Sequence, residues 1–169
     1  MMRMIAIASL LALAACSEDA GADHKAKAAA DAANLKLAAG QWETVVEITQ
    51  VDSQDNGTPV LKTGKTTYSG CVAEADGKKP PAAVLAGMDD CSYNTVYMSR
   101  GRVNASISCT RPGLAGKISM SNEGSYTADS FELNSSIQTY LTSDGDVKAA
   151  AKVTGRRTGD CTAAAPKAA

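Results

Sequence analysis

From Gly40 onward, apolar and polar residues alternate with a period of two, the spacing of a strand that buries one face. In QWETVVEITQV, Trp42, Thr44, Val46 and Ile48 fall on one side and Glu43, Val45, Glu47 and Thr49 on the other. Asn56-Gly57 marks a turn, and VLKTGKTTYSGC behind it reads as a second strand. KKPPAAVLAGM breaks the alternation. Two prolines ahead of Ala82 to Met88 suit one short helix or a covering loop, because proline is tolerated in a first helical turn. Two strand-like runs then flank Ser99-Arg100-Gly101-Arg102, and GKISMSNEGSYTAD follows as a fifth strand. Phe131, Leu133, Ser135, Ile137, Thr139 and Leu141 share one face of a sixth strand, and Val147, Ala149, Ala151 and Val153 one face of a seventh. Asp144-Gly145 between these two is a tight-hairpin signal.

Strands joined mainly by short turns predict an all-β, mainly antiparallel fold of about seven strands with one short helix. Such a meander must curl or be covered to bury its apolar face, so a strongly curved sheet or an incomplete barrel is expected. The inward set is rich in alanine, serine and threonine. Either the core is thin and relies on covalent staples, or the concave side holds something.

The first residues follow a different pattern. Arg3 is the only charge before residue 16, and Ile5 to Ala15 is an unbroken run of apolar and small residues. The run is shorter than the roughly 20 apolar residues a spanning helix needs, and it has the length of an export signal. Residues 1–15 are therefore read as a signal peptide. Its ending, Leu13-Ala14-Ala15-Cys16, resembles the lipobox of bacterial lipoproteins, in which the cysteine is acylated and becomes the first mature residue. Each buried acyl methylene stabilises attachment by about 0.8 kcal/mol, so two or three chains on Cys16 anchor firmly. By the same resemblance, Ser17 implies the periplasmic face of the outer membrane. Residues 16–39 combine this anchor with an alanine-rich, mixed-charge tether whose composition allows a fraying helix over about 23–37. The polar tail of residues 162–169 reads as disordered, which leaves 40–161 as the folded domain.

With Cys16 set aside, four of the five cysteines remain: Cys71, Cys91, Cys109 and Cys161. An even number in an exported chain predicts two disulfides. A hairpin centred on residues 99–102 brings Cys91 and Cys109 nearly opposite, so these two pair and Cys71 is left for Cys161. Closing that longer loop is worth about 4 to 5 kcal/mol as an upper figure. No metal site is expected, because there is no Cys-x-x-Cys and the only histidine, His24, lies in the tether.

Composition excludes more than it assigns. With 17 basic against 18 acidic residues and 4% aromatics, the chain has no electrostatic footprint for nucleic acid. No histidine is available to a catalytic triad in the domain, and no phosphate loop or nucleophile elbow is present. The pairs Asp89-Asp90 and Asp144, Asp146 sit in turn contexts where acids are common. No enzyme activity and no cofactor are expected. Arg156 and Arg157 are the one cluster to watch: arginine forks suit phosphate or carboxylate, while the competing expectation is an ion pair with Asp160 that pins the last turn.

Gly40, Trp42 and Glu43 at the start of the domain, with Gly155, Arg156, Arg157, Gly159, Asp160 and Cys161 at its end, resemble a family of small exported Gram-negative proteins catalogued as domain of unknown function 3617. The resemblance covers most of 40–161. It implies export, β structure and paired cysteines, and it implies no activity. Many members have a methionine- and proline-rich segment after the first strand, where this chain has DSQDNGTPV.

The expectation is thus an acylated periplasmic lipoprotein that acts as a non-enzymatic interaction module for an envelope partner. The alternative is a carrier holding a small lipophilic ligand in the concave face. A contiguous apolar lining around a dry pocket would favour the carrier, and a filled core with exposed edge strands the module.

Overall fold

The computed structural model describes residues 34–161, which form one antiparallel sheet with a single short helix. The strands are β1 (Gly40–Ser53), β2 (Gly64–Val72), β3 (Cys91–Ser99), β4 (Arg102–Arg111), β5 (Leu114–Tyr126), β6 (Ser130–Leu141) and β7 (Val147–Gly159). A 3-10 turn at Glu74–Asp76 and the helix α1 (Ala82–Ala86) lie between β2 and β3. Strands β3 to β7 run as a meander, but β1 pairs with β7 rather than with β2 alone. The order is β2-β1-β7-β6-β5-β4-β3, so the first and last strands are joined and the sheet opens between β2 and β3. The expected curved, incomplete barrel is present, and its seam lies where residues 73–90 interrupt the strand pattern.

α1 touches both edge strands, β2 and β3, and also β1 and β7. A helix can meet both edges of a seven-stranded sheet only if the sheet rolls around it. Pro81 precedes the helix and Gly87 ends it at φ 67°, where its N–H reaches the Ala83 carbonyl. The small inward residues now have a reason. One row of register partners runs Ile48, Ala151, Ser135, Asn122, Ala105 and Val96 across the sheet. Asn122 donates to the Leu85 carbonyl of the helix at 3.0 Å, and Thr44 to that of Val84 at 2.8 Å. What the concave face holds is the chain's own helix, and alanine and serine in that row leave room for it.

The hairpin at Arg100-Gly101 has positive φ at both central residues, 50° and 73°, the pattern of a type I′ turn. It sets Cys91 opposite Cys109, and the two are bonded with Cα atoms 4.1 Å apart. Cys71 is bonded to Cys161 with Cα atoms 5.5 Å apart. A bulge between Tyr93 and Thr95 restores the parity of β3, so that Tyr93, Val96 and Met98 all pack against the core.

Two local expectations are corrected. Strand β2 begins at Gly64 rather than just after Asn56-Gly57, because Leu61 turns inward to 7% exposure and the Val60 N–H bonds the Gly145 carbonyl. Residues 142–146 make a five-residue connection rather than a tight turn at Asp144-Gly145. There the Asp146 carboxylate accepts from the Leu141 N–H and the Thr139 hydroxyl and so bridges the end of β6 and the start of β7. The helix expected over about 23–37 lies mostly outside the described residues, and 34–37 within it are not helical.

Candidate functional site

Both ends of the described chain sit at one end of the sheet, the terminal end. It contains the start of β1, the end of β7 and the β3–β4 and β5–β6 turns. Leu35 and Leu37 alternate into it. Leu37 has no exposed surface, and its N–H bonds the Gly77 carbonyl, while Ala38 donates to Ala128. Tyr126 donates its hydroxyl to the Leu35 carbonyl at 3.0 Å. The last residues read as tether therefore belong to the domain, since two leucines spaced by two bury one face of an extended segment.

The residues that carried the family resemblance meet here. Trp42 is fully buried, stacks on Phe131 with ring centroids 5.7 Å apart, and donates its indole N–H to the Ala38 carbonyl at 3.0 Å. Gly155 lies under the Phe131 ring, which would be 2.1 Å from a Cβ at that position. Gly40, at φ 144°, leaves the space that the Arg157 side chain and the Gly159 carbonyl occupy. Arg157 donates Nε–H to the Ala39 carbonyl at 2.7 Å and pairs with Asp160 at 2.8 Å.

Arg156 and Arg157 are neighbours on a strand, so they leave it on opposite faces. Arg157 is half-buried and committed to Ala39 and Asp160, whereas Arg156 is exposed on the outer face beside Glu43 and Ser130. The structure does not bring the two guanidiniums together into one fork. Cys16 and His24 lie outside the described residues.

The opposite end, the loop end, carries residues 54–63, 112–113 and 142–146. Asp55 is its organiser. Its carboxylate accepts backbone N–H bonds from Gly57, Gly145 and Asp146 at 2.8 to 2.9 Å, and these hold its pKa below the ordinary 3.8. Composition did not single out Asp55, although Asp-Asn-Gly is the signature of a side chain that bonds its own turn. Asp90 takes positive φ and its carbonyl accepts from the Thr110 N–H, so Asp89-Asp90 also serves a turn. Among the described residues no three of His, Cys, Asp and Glu gather as a metal site would require.

The tyrosines divide between the two faces. Burial pushes the Tyr93 phenol far above its ordinary pKa, and its hydroxyl donates to the Pro80 carbonyl at 2.8 Å. Tyr97 and Tyr140 stand on the outer face at 64% and 56% exposure. The surface depressions among the described residues are open to solvent, and those nearest the helix are lined by its flanking loops and the edge strands.

These features define a class: a disulfide-stapled antiparallel sheet, rolled around its own helix and open along one seam. Residues 37–161 match the model of a family described as protein of unknown function, DUF3617, and the chain belongs to that family. No curated protein and no solved structure matches it.

Proposed function

We propose that this protein is an envelope-anchored periplasmic lipoprotein that acts without chemistry of its own, as an interaction module for an envelope partner. The observation that carries the reading is the filled concave face. α1 occupies it, tied to the sheet through Thr44 and Asn122, and its Val84, Leu85 and Ala86 are fully buried. A lipophilic ligand would have to displace this helix. The edges of the sheet are by contrast paired on one side only, which is the surface an interaction module offers.

Anchoring rests on the lipobox-like Leu13-Ala14-Ala15-Cys16. Two disulfides fit an oxidising compartment.

Native mass spectrometry of the protein purified from the envelope tests the module against the carrier. The expected result is the bare acylated chain. A stoichiometric small-molecule adduct that is lost on denaturation overturns the module in favour of the carrier. Cys16→Ser is expected to move the protein from the membrane fraction to the soluble periplasmic fraction, and retention in the membrane overturns the anchor.

A further inference from the structure

The two edges of the sheet are not equivalent. β2 reads GKTTYSGCV: it carries Lys65, paired with Glu47 at 3.3 Å, two glycines, and Cys71 bonded to Cys161 just beyond β7. Charge and glycine on an edge discourage strand pairing, as natural sheets use them to do. β3 has neither. Beyond its bulge it reads Thr95-Val96-Tyr97-Met98-Ser99, uncharged and made largely of residues that favour strands. Among the described residues, no backbone N–H or C=O of Thr95–Ser99 bonds to anything but β4. The first part of β3 is different, because Pro80–Ala82 lie against Cys91–Tyr93 and the Tyr93 hydroxyl is bonded to Pro80.

Two cations flank this open edge, while Glu123, in the depression beside Tyr97 and Arg102, accepts from the Asn104 side chain. Arg100 in the turn and Arg102 at the start of β4 are exposed, and neither is paired with a carboxylate among the described residues. Val96 and Met98 are half-buried and packed against the core, so an added strand would extend the apolar inner face. Tyr97 stands outward beside the edge, where it can flank a side chain of that strand.

We infer that Thr95–Ser99 is the docking edge, and that it takes as an eighth strand an extended segment of a partner protein. That segment has apolar residues at alternate positions and acidic residues at the end beside Arg100 and Arg102. Main-chain bonds supply the attachment, and the two arginines select the acidic end and fix the direction of the segment. This rests on the interaction-module reading and names the site and the partner chemistry for it.

The test uses the full-length chain and a blocked nine-residue peptide of alternating valine and threonine with two aspartates at its N-terminal end. This is the end that meets Arg100 and Arg102 in antiparallel pairing. Amide hydrogen exchange is expected to show new protection confined to Thr95–Ser99, with β2 unchanged. Tyr97→Lys, an exposed change, places a charge on the edge and is expected to abolish that protection. Arg102→Glu, also exposed, is expected to weaken binding at least tenfold, and a peptide with lysines in place of the aspartates should bind at least tenfold more weakly. The thermal midpoint of each variant checks that it is folded.

Protection at β2 or the loop end, none at β3, or equal binding of the lysine peptide overturns the assignment. So does concentration-dependent protection of β3 without peptide, accompanied by a dimer in sedimentation, which gives the edge to a second copy. Each of these leaves the module reading standing, whereas a carried ligand in native mass spectrometry removes that reading itself.

Discussion

The terminal end and the loop end of the sheet are held by different kinds of contact. At the terminal end the ties that join distant segments are Ala39 to Arg157, Leu35 to Tyr126, Leu37 to Gly77 and the Cys71–Cys161 disulfide. At the loop end the disulfide spans 18 residues of one hairpin, and the distant loops 54–60 and 142–146 are joined by backbone hydrogen bonds and by the Asp55 carboxylate. The difference shows where the family signature does its work. Its residues gather at the terminal end, where β1 meets β7: Gly40, Trp42, Gly155 and Arg157 serve that pairing and its packing, while Glu43 and Arg156 stay exposed.

Removing each disulfide tests this contrast most severely. In the chain-entropy view, Cys71→Ala with Cys161→Ala is expected to cost about 4 to 5 kcal/mol, against about 3 kcal/mol for Cys91→Ala with Cys109→Ala. Urea unfolding of the two double variants measures the difference, and equal losses would erase the asymmetry. Trp42→Ala is next. It removes the stack on Phe131 and the bond to Ala38, and an aromatic-to-alanine change in a core costs about 3 to 5 kcal/mol. Hydrogen exchange should then show loosening at the terminal end ahead of the loop end.

Gly155→Ala is a smaller perturbation of the same corner. A Cβ would fall 2.1 Å from the Phe131 ring, so the ring must shift off Trp42, at about 1 to 3 kcal/mol for overpacking. Thermal unfolding reads the loss, and Phe131→Leu in the same chain should recover part of it.

The smallest effect belongs to the loop end and to acid. Asp55 has a depressed pKa in the folded state, so its contribution is present above the ordinary value of 3.8 and is lost as pH falls through the depressed one. Below that range the amides of Gly57, Gly145 and Asp146 are expected to exchange faster, with those at Leu37 and Ala38 unchanged. Asp55→Asn should show the faster exchange already at neutral pH and remove its acid dependence. If the terminal end opens first in acid, the two ends are not independent.

Much of this was legible along the chain. Inward faces of β1, β6 and β7 follow from period-two alternation, the Arg100-Gly101 turn follows from its residues, and that turn fixes Cys91 opposite Cys109. The short helix announced itself by the prolines before it. The candidate edge was less visible. Its sequence is uncharged and strand-favouring, but nothing local distinguishes an edge strand from an interior one. Arg156 and Arg157 looked like one cluster because they are adjacent, and strand geometry separates them for the same reason.

What the sequence by itself determined is therefore the set of strands, their buried faces and the cysteine partners, because alternation and turn chemistry are written in neighbouring residues. Where the barrel opens was decided only in three dimensions. A seam between β7 and β1 and a seam between β2 and β3 share the same local pattern. The choice depends on pairing Trp42 with Arg157, more than a hundred residues away, and on packing α1 into the gap this leaves. Local periodicity carries no record of contacts at that separation, and it is those contacts that expose β3 and bury Leu37 and Asn122.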